Sequence, residues 1–289
     1  MFVHPNLLSF SCKLVLSDKQ MGFFLRCLYE NDYIKSSFSK LYICSYTCVN
    51  MIFTHQNDQT QIVFTNKQKW SSVILNGDFA HLSTGFMKLL DNYERSTGVA
   101  ERVTAEEVTE NNSFLDAVLE TAVMKGKSRS DLRPFKSQLY YMWFRLYHRD
   151  RNGGEDSSGF EHVFVGETKF GREIMGLHNW VQFYLQEKQE LLDYKGYKAR
   201  DNDPNEDDHV LNVQFSWHGL VKPVASAFVG VSPEFEMAIF TILFLTSTEK
   251  TTTAVVNLDE YQLEMVVHRH GRSIGTAYPK LLSSNNRHV

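Results

Sequence analysis

The sequence predicts an α+β fold, with a helical N-terminal lobe followed by a region of two antiparallel β-sheets flanked by helices. Apolar residues recur at helical spacing between residues 84 and 149, whereas short alternating segments and helices are interleaved from residue 159 onward. The stretch 151–159 between them is polar and rich in Gly and Ser, as connecting loops are. We therefore divide the chain into a divergent N-terminal segment 1–80, a helical lobe 81–150 and an α+β part 151–289.

The N-terminal segment 1–80 shows no sustained period, and the sequence assigns it no role. Residues 41–48 and 62–65 have the composition of short strands. All four cysteines lie between Cys12 and Cys48, so the rest of the chain cannot depend on disulfides. No second cysteine pair follows at zinc-finger spacing, and we expect free thiols.

Three helices are predicted in the lobe 81–150. The first spans about 84–98 and ends at a glycine, a common residue at helix ends. Thr104 and Glu107 have capping-box spacing and predict a helix that continues to residue 119. The third is amphipathic and covers residues 134–147.

Strands and helices alternate in the predicted α+β part, with an acidic loop at 200–209. This loop lacks the Gly and terminal Glu of an EF-hand, and we expect a solvated turn. The predicted elements are a strand 160–165, a helix 177–194, a hairpin 210–217 and 220–230, a helix 233–245, and strands 252–256, 262–268 and 273–278.

Composition limits the classes of partner. With 43% hydrophobic and 22% charged residues the chain can bury a substantial core, and its net charge of −4 gives no broad basic field that would attract nucleic acid. Any contact with RNA or DNA must be local. The start of the chain lacks a basic signal-peptide region, and the longest uncharged run, 41–57, is too polar for a membrane span. We expect no membrane partner and a cytoplasmic or nuclear location, with secretion left open.

Three side chains are candidates for chemistry. His162 lies among apolar residues of a predicted strand, and His178 lies in the first turn of a predicted helix, where the helix dipole favours a neutral ring that can act as a base. Lys222 lies on a strand among apolar and small residues. Each also has a structural interpretation: a half-buried histidine, a histidine that fixes a helix start, and an edge-strand lysine.

Hydroxyl side chains accompany these candidates. Ser226 shares a face with Lys222 if their strand is regular, and Thr276 and Tyr278 share a face of a later strand. Two histidines, a lysine and an aromatic hydroxyl can together cleave RNA through its own 2′-hydroxyl. One histidine removes the 2′ proton, the other protonates the 5′ leaving oxygen, and the ammonium offsets charge on the phosphate. That scheme requires no metal.

Six short motifs occur in order between residues 159 and 278. They are Gly-Phe-Glu-His-Val-Phe-Val-Gly-Glu (159–167), Gly-Leu-His-Asn-Trp (176–180), Asn-Val-Gln-Phe-Ser-Trp (212–217), Lys222 with Ser-Ala-Phe-Val-Gly (226–230), Ser-Pro-Glu-Phe-Glu (232–236) and Thr-Ala-Tyr (276–278). Together they resemble the EndoU family of uridylate-specific endoribonucleases, also called placental protein 11-like. Residues 86–149 also resemble the helical part of the animal members.

The resemblance implies a catalytic set in which His178 is the general base, His162 the general acid and Lys222 the third catalytic residue. It implies supporting roles for the acidic residues Glu161 and Glu167. If 160–165 is a strand, Glu161 and His162 face opposite sides, so Glu161 cannot simply orient its neighbour.

The resemblance also implies how RNA is recognised and what is produced. Ser226 is expected to read the uracil edge, Tyr278 to stack against or orient the base and ribose, and Thr276 to support the pocket. The implied partner is single-stranded RNA that contains uridine, the implied products carry 2′,3′-cyclic phosphates, and the implied cofactor is Mn²⁺ at a site that the sequence does not place. We expect a monomer.

Two alternatives stay open. A member of the same family can bind RNA while being catalytically weak or inactive, although the intact set of two histidines and one lysine favours an enzyme. A metal-dependent phosphodiesterase would need the carboxylates of loop 200–209 to converge with His209. Residues 1–80 do not resemble the usual start of the family domain.

Overall fold

The protein is described by a computed structural model at residues 9–15, 42–44, 52–56, 59–63, 84–120, 129–150, 153–197, 210–228, 231–258 and 261–284. The α-helices are α1 Ala105–Glu120, α2 Arg129–Trp143, α3 Trp180–Lys188 and α4 Pro233–Leu245. The strands are β1 Ser9–Val15, β2 Tyr42–Cys44, β3 Ile52–Gln56, β4 Gln59–Val63, β5 Ser96–Thr97, β6 Glu167–Lys169, β7 Glu173–Met175, β8 Leu192–Tyr197, β9 Val210–Trp217, β10 Leu220–Phe228, β11 Thr251–Leu258, β12 Tyr261–His270 and β13 Ser273–Ser284. These elements confirm the predicted α+β class.

The helices of the lobe are present with shifted ends. The capping box is formed, since Thr104 N donates to Glu107 Oε2 at 2.8 Å and Glu107 N donates to Thr104 Oγ1 at 3.2 Å. Helix α2 ends at Trp143, before the predicted end at residue 147. The first predicted helix is also too long: residues 84–88 are helical and a 3₁₀ turn follows at Leu89–Asp91. The chain beyond it pairs instead with β6, which explains why the helix stops early.

The described strands form four sheets, and two of these sheets join early strands to later ones. Strands β13, β12, β11, β1 and β2 form one sheet in that order, and β10, β9 and β8 form another. The short strands β5, β6 and β7 form a third, and β3 pairs with β4. The predicted hairpin is confirmed, because β9 and β10 pair antiparallel from Trp217 and Leu220 outward. Strand β10 is an edge of its sheet, and it packs against β7 and β13.

Two predictions in the α+β part are wrong. The segment 160–165 is not a strand, because Glu161–Val165 is a π-helix that is buried throughout. A short apolar run cannot distinguish a buried strand from a buried helix. The predicted helix 177–194 is two elements, since α3 ends at Lys188 and β8 begins at Leu192. Glu190, between them, has a φ of 61° and turns the chain.

Buried apolar side chains from the helices and the sheets form one continuous core. Its largest fully buried members are Trp143, Trp217, Phe86, Phe114, Phe160, Phe164, Phe183, Phe215, Phe228, Phe240 and Leu89. The boundaries at residues 80 and 150 stay predictions. Among the described residues, no helix has both the length and the apolar character needed to cross a membrane. The acidic loop 200–209 lies outside the described residues.

Candidate active site

Two polar side chains linked by short contacts hold His162 in place. Its Nδ1 lies 2.5 Å from Glu167 Oε1, and Arg149 Nε lies 2.6 Å from the same oxygen. Arg149 also donates from Nη2 to the carbonyl oxygen of Gly275 on β13 at 2.7 Å. Because the carboxylate accepts a hydrogen bond from Nδ1–H, the other ring nitrogen, Nε2, is left to exchange a proton with a substrate.

The two predicted supporting acids differ in charge. Burial opposes ionisation of Glu167, but His162 and Arg149 outweigh it and lower the pKa of that carboxyl. Glu161 is fully buried, and neither of its carboxyl oxygens has a hydrogen-bond partner among the described residues. Burial and the nearby Glu167 raise the pKa of Glu161 well above its ordinary value, which favours the neutral form of this side chain. Burial and the Arg149 guanidinium lower the pKa of His162 to about 4, against the pull of Glu167.

A glycine turn places the second histidine beside the first. Gly176 has a φ of +60°, and a Cβ at this position would lie 1.8 Å from the carbonyl oxygen of His162, so only glycine fits. Leu177 N then donates to that His162 oxygen at 2.9 Å, and His178 N donates to Val163 O at 2.8 Å. As a result the His162 and His178 ring centroids lie 6.3 Å apart.

The imidazole of His178 is fixed in one tautomer. Its Nδ1 lies 2.8 Å from the carbonyl oxygen of Ser226, which can only accept, so Nδ1 carries the proton and Nε2 has a free lone pair. The Tyr278 ring stacks on it with centroids 5.1 Å apart and planes 24° apart. Burial, Lys222 and His162 lower the pKa of His178 well below its ordinary value. The ring is therefore neutral at pH 7.

The position of His178 differs from the prediction. Asn179 is the N-cap of α3, and its side chain accepts from Gln182 N at 3.1 Å, so His178 precedes the helix instead of lying in its first turn. The predicted neutral ring is confirmed, but burial and the neighbouring cation are its main causes.

Lys222 extends from the edge strand β10 to the glycine turn. Its Nζ donates to the carbonyl oxygen of Gly176, the residue that separates the two histidine segments. Burial lowers the pKa of Lys222 to about 8, partly opposed by Glu167 and Glu173. The ammonium therefore remains mostly charged at pH 7.

A bulge in β10 changes the expected relation between Lys222 and Ser226. Lys222 pairs with Phe215 and Ala225 pairs with Val213, with a register shift between them. The regular alternation that placed Ser226 on the face of Lys222 is therefore interrupted. Ser226 is buried, and its backbone contacts His178.

Thr276 and Tyr278 lie on β13, opposite His268 and Val266 of β12, in uninterrupted register. Their shared face is confirmed, since the register alternates regularly between them. The Thr276 hydroxyl is buried and has no hydrogen-bond partner in the described part of the chain. The His268 ring lies 6.2 Å from that of Tyr278.

The structure brings the three predicted catalytic side chains, Glu167 and Tyr278 to one place. Glu161 and Thr276 form no hydrogen bond to this group among the described residues. Sequence reasoning missed Arg149, which follows a helix in a polar stretch, and His268, one of eleven histidines. Neither lies in a motif whose spacing could have identified it.

The carboxylates that the structure describes around the two histidines do not fit a manganese site. No group of three or more His, Cys, Asp or Glu side chains in the described ranges could hold a metal ion. The Glu167 carboxylate is already paired with Arg149 and His162, and Glu161 is neutral and fully buried.

Known proteins are similar to this chain in sequence and in fold. The profile of the family described as endoribonuclease XendoU matches residues 54–279. Uridylate-specific endoribonuclease C of Danio rerio is 86% identical over 234 residues, which cover 76% of this chain and 76% of that protein. Poly(U)-specific endoribonuclease of Xenopus tropicalis is 60% identical over 212 residues, 70% of this chain and 72% of that protein.

A solved structure described as XendoU, a splicing-independent snoRNA-processing endoribonuclease, matches with a TM-score of 0.69 and 47% identity. The match covers 94% of this chain and 100% of that one. These similarities confirm the resemblance given by the six motifs, and the chain belongs to the XendoU family of endoribonucleases.

Proposed function

We propose that this protein is a uridylate-specific endoribonuclease that cleaves single-stranded RNA by attack of the 2′-hydroxyl on the adjacent phosphodiester. The products are a 2′,3′-cyclic phosphate and a 5′-hydroxyl, so the reaction is formally that of an RNA lyase. The similarity to uridylate-specific and poly(U)-specific endoribonucleases supports the choice of substrate. The observation that carries the proposal is the His178 tautomer. Its Nε2 has a lone pair that can accept a proton, and a second histidine lies beside it.

His178 serves as the base. Its Nε2 takes the proton of the 2′-hydroxyl as the O2′–P bond forms. The low pKa of this ring keeps the lone pair available at pH 7. Lys222 offsets the negative charge that develops on the phosphate oxygens, and its ammonium is pre-oriented by the Gly176 carbonyl.

His162 serves as the acid. As the P–O5′ bond breaks, its Nε2 gives a proton to the leaving oxygen. A bound phosphodiester adds a negative charge near the ring, and together with Glu167 it favours the imidazolium that this step consumes. Arg149 keeps Glu167 ionised and in contact with Nδ1.

Uridine selection is assigned to the three hydroxyl side chains beside the catalytic group. We propose that the Ser226 hydroxyl reads the uracil edge, that Tyr278 orients the base and ribose, and that the unpartnered Thr276 hydroxyl supports them. The rival, a catalytically weak or inactive RNA-binding member of the family, requires no aligned base and acid. The intact histidine pair favours the enzyme.

The test is digestion of a mixed-sequence RNA, with the termini mapped for position and for cyclic phosphate. Cleavage 3′ of uridines that leaves cyclic phosphate is expected, and a 2′-deoxyuridine at the same position is expected to block it. RNA binding without cleavage would favour the rival, and cleavage at deoxyuridine would show attack by water. Manganese stimulation is proposed from the family resemblance alone, and the same assay with and without Mn²⁺ tests it.

A further inference from the structure

A buried acid outside the catalytic group contacts the residue that follows His178. Glu236 lies on α4 and is fully buried, as are Phe235 and Met237 on either side of it in the sequence. Its Oε1 accepts a hydrogen bond from Asn179 Nδ2 at 3.0 Å. No cation pairs with it in the described part of the chain, and burial raises the pKa of Glu236 well above its ordinary value. Glu236 is therefore a neutral carboxyl group that accepts one hydrogen bond.

Asn179 uses both ends of its side-chain amide. Its Oδ1 accepts from Gln182 N at 3.1 Å and caps α3, while its Nδ2 donates to Glu236. An inverted amide would place Nδ2 against the Gln182 N–H, donor against donor. The Gln182 N–H thus fixes the amide orientation, and in that orientation the Glu236 oxygen anchors residue 179.

The anchored residue is covalently joined to the proposed base. Asn179 forms an isolated parallel bridge with Phe228 of β10, and His178 is held by Val163 O and Ser226 O. These contacts come from β10 and the π-helix, whereas Glu236 supplies the contact from α4. A displacement of about 1 Å at a catalytic group can reduce a rate by ~10²-fold.

We propose that Glu236 is a positioning residue that holds His178 for proton abstraction by accepting a hydrogen bond from Asn179. The inference rests on the proposed function, because it concerns how the base of that reaction is placed. Glu236 acts in its neutral form, as an acceptor, so its charge is not required.

The experiment compares Glu236→Gln with Glu236→Leu in cleavage of a short uridine-containing RNA. Gln keeps a neutral carbonyl acceptor, and its kcat should stay within about twofold of the parent. Leu removes the acceptor at similar volume, and kcat should fall by ~10- to 100-fold with KM within about threefold. Glu234→Leu is the matched control: Glu234 is also buried on α4 but makes no hydrogen bond to Asn179, and kcat should change little.

Two further variants separate positioning from loss of fold. Asn179→Ser keeps a side-chain oxygen that can cap α3 but cannot reach Glu236, so it should reproduce the drop in kcat with thermal unfolding close to that of the parent. In a His178→Ala background, Glu236→Leu should cause no further loss, because its effect passes through that ring.

The proposal is overturned if Leu and Gln at position 236 are equally active, or if Leu lowers the residual rate of His178→Ala as much as it lowers the parent rate. Absence of cleavage by the parent protein would instead contradict the proposed function and is observed before any variant is made.

Discussion

The two histidines of the site are chemically identical, but the two regions that hold them are not. His162 lies on a π-helix and donates to the ionised carboxylate of Glu167, which also forms an ion pair with Arg149. His178 lies in a turn before α3 and donates to a neutral backbone carbonyl. A carboxylate stabilises the imidazolium, whereas a carbonyl only fixes the tautomer. This difference supports the proposed roles, with the first ring as the acid once a phosphodiester is bound and the second as the base.

The largest expected effect separates the acid from the base. His162→Ala and His178→Ala should each lower cleavage of a uridine dinucleotide by ~10²- to 10⁴-fold, the usual contribution of a general acid or base. A substrate with a 4-nitrophenolate leaving group needs no acid, so it should restore most of the rate to His162→Ala but not to His178→Ala. Restoration of the His178 variant alone would reverse the assignment.

The next effect compares the two acids near His162. Glu167→Gln removes the carboxylate from a charge-assisted hydrogen bond, a contact type that contributes about 1.5–3 kcal/mol, so kcat/KM should fall by ~10- to 100-fold. Glu161→Gln is the matched control, because Glu161 is already neutral, and its rate should stay within about twofold of the parent. Equal losses in steady-state assays of both variants would show that Glu161 acts as an anion.

Lys222 contacts the turn at Gly176 between the two histidine segments, and we expect its titration to set the alkaline limb of the pH profile. Burial lowers its pKa to about 8, so the ammonium is present below that pH and is lost as the pH rises through it. If RNA needs this charge, kcat/KM should fall about tenfold for each pH unit above the midpoint. Lys222→Arg should move the limb to higher pH, because a guanidinium stays charged. A limb unchanged in that variant would assign it to another group.

The smallest expected effect concerns Ser226. Its carbonyl holds His178, and Ser226→Ala retains that carbonyl, so cleavage at uridine should fall only about fivefold, the value of one hydrogen bond. Preference for uridine over cytidine should decline by a similar factor in competition assays. Unchanged selectivity would move base recognition to Tyr278 or Thr276.

Local signals predicted much of the fold. The capping box at Thr104, the turn at His218 and Gly219 and the proline start of α4 each depend on neighbouring residues, and each is formed by those residues. Packing against distant residues decided the segments where prediction failed. The π-helix at 161–165 has a strand-like composition, and its conformation depends on burial against the core and on the turn at Gly176.

The structure brings the candidate residues of the motifs together, and it adds residues to which the motifs assigned no role. The three catalytic candidates belong to the short motifs that resemble the family, and their side chains lie close together in the structure. Arg149 lies in none of the six motifs, and Glu236 lies in the motif 232–236 without an assigned role, because the contacts of both side chains join residues far apart in the chain. The bulge that separates Lys222 from Ser226 also left no mark in the sequence.

The sequence by itself determined the α+β class, the starts of α1 and α4 and the residue types that can cleave RNA through its own 2′-hydroxyl, because these follow from periodicity, local hydrogen bonding and side-chain chemistry. Only the tertiary structure decided which ring nitrogen of His178 carries the proton, which of the two acids near His162 favours the ionised form, and that the pKa of the lysine is lowered. Those properties arise from burial and from partners brought together by folding, and neither is encoded at any single position.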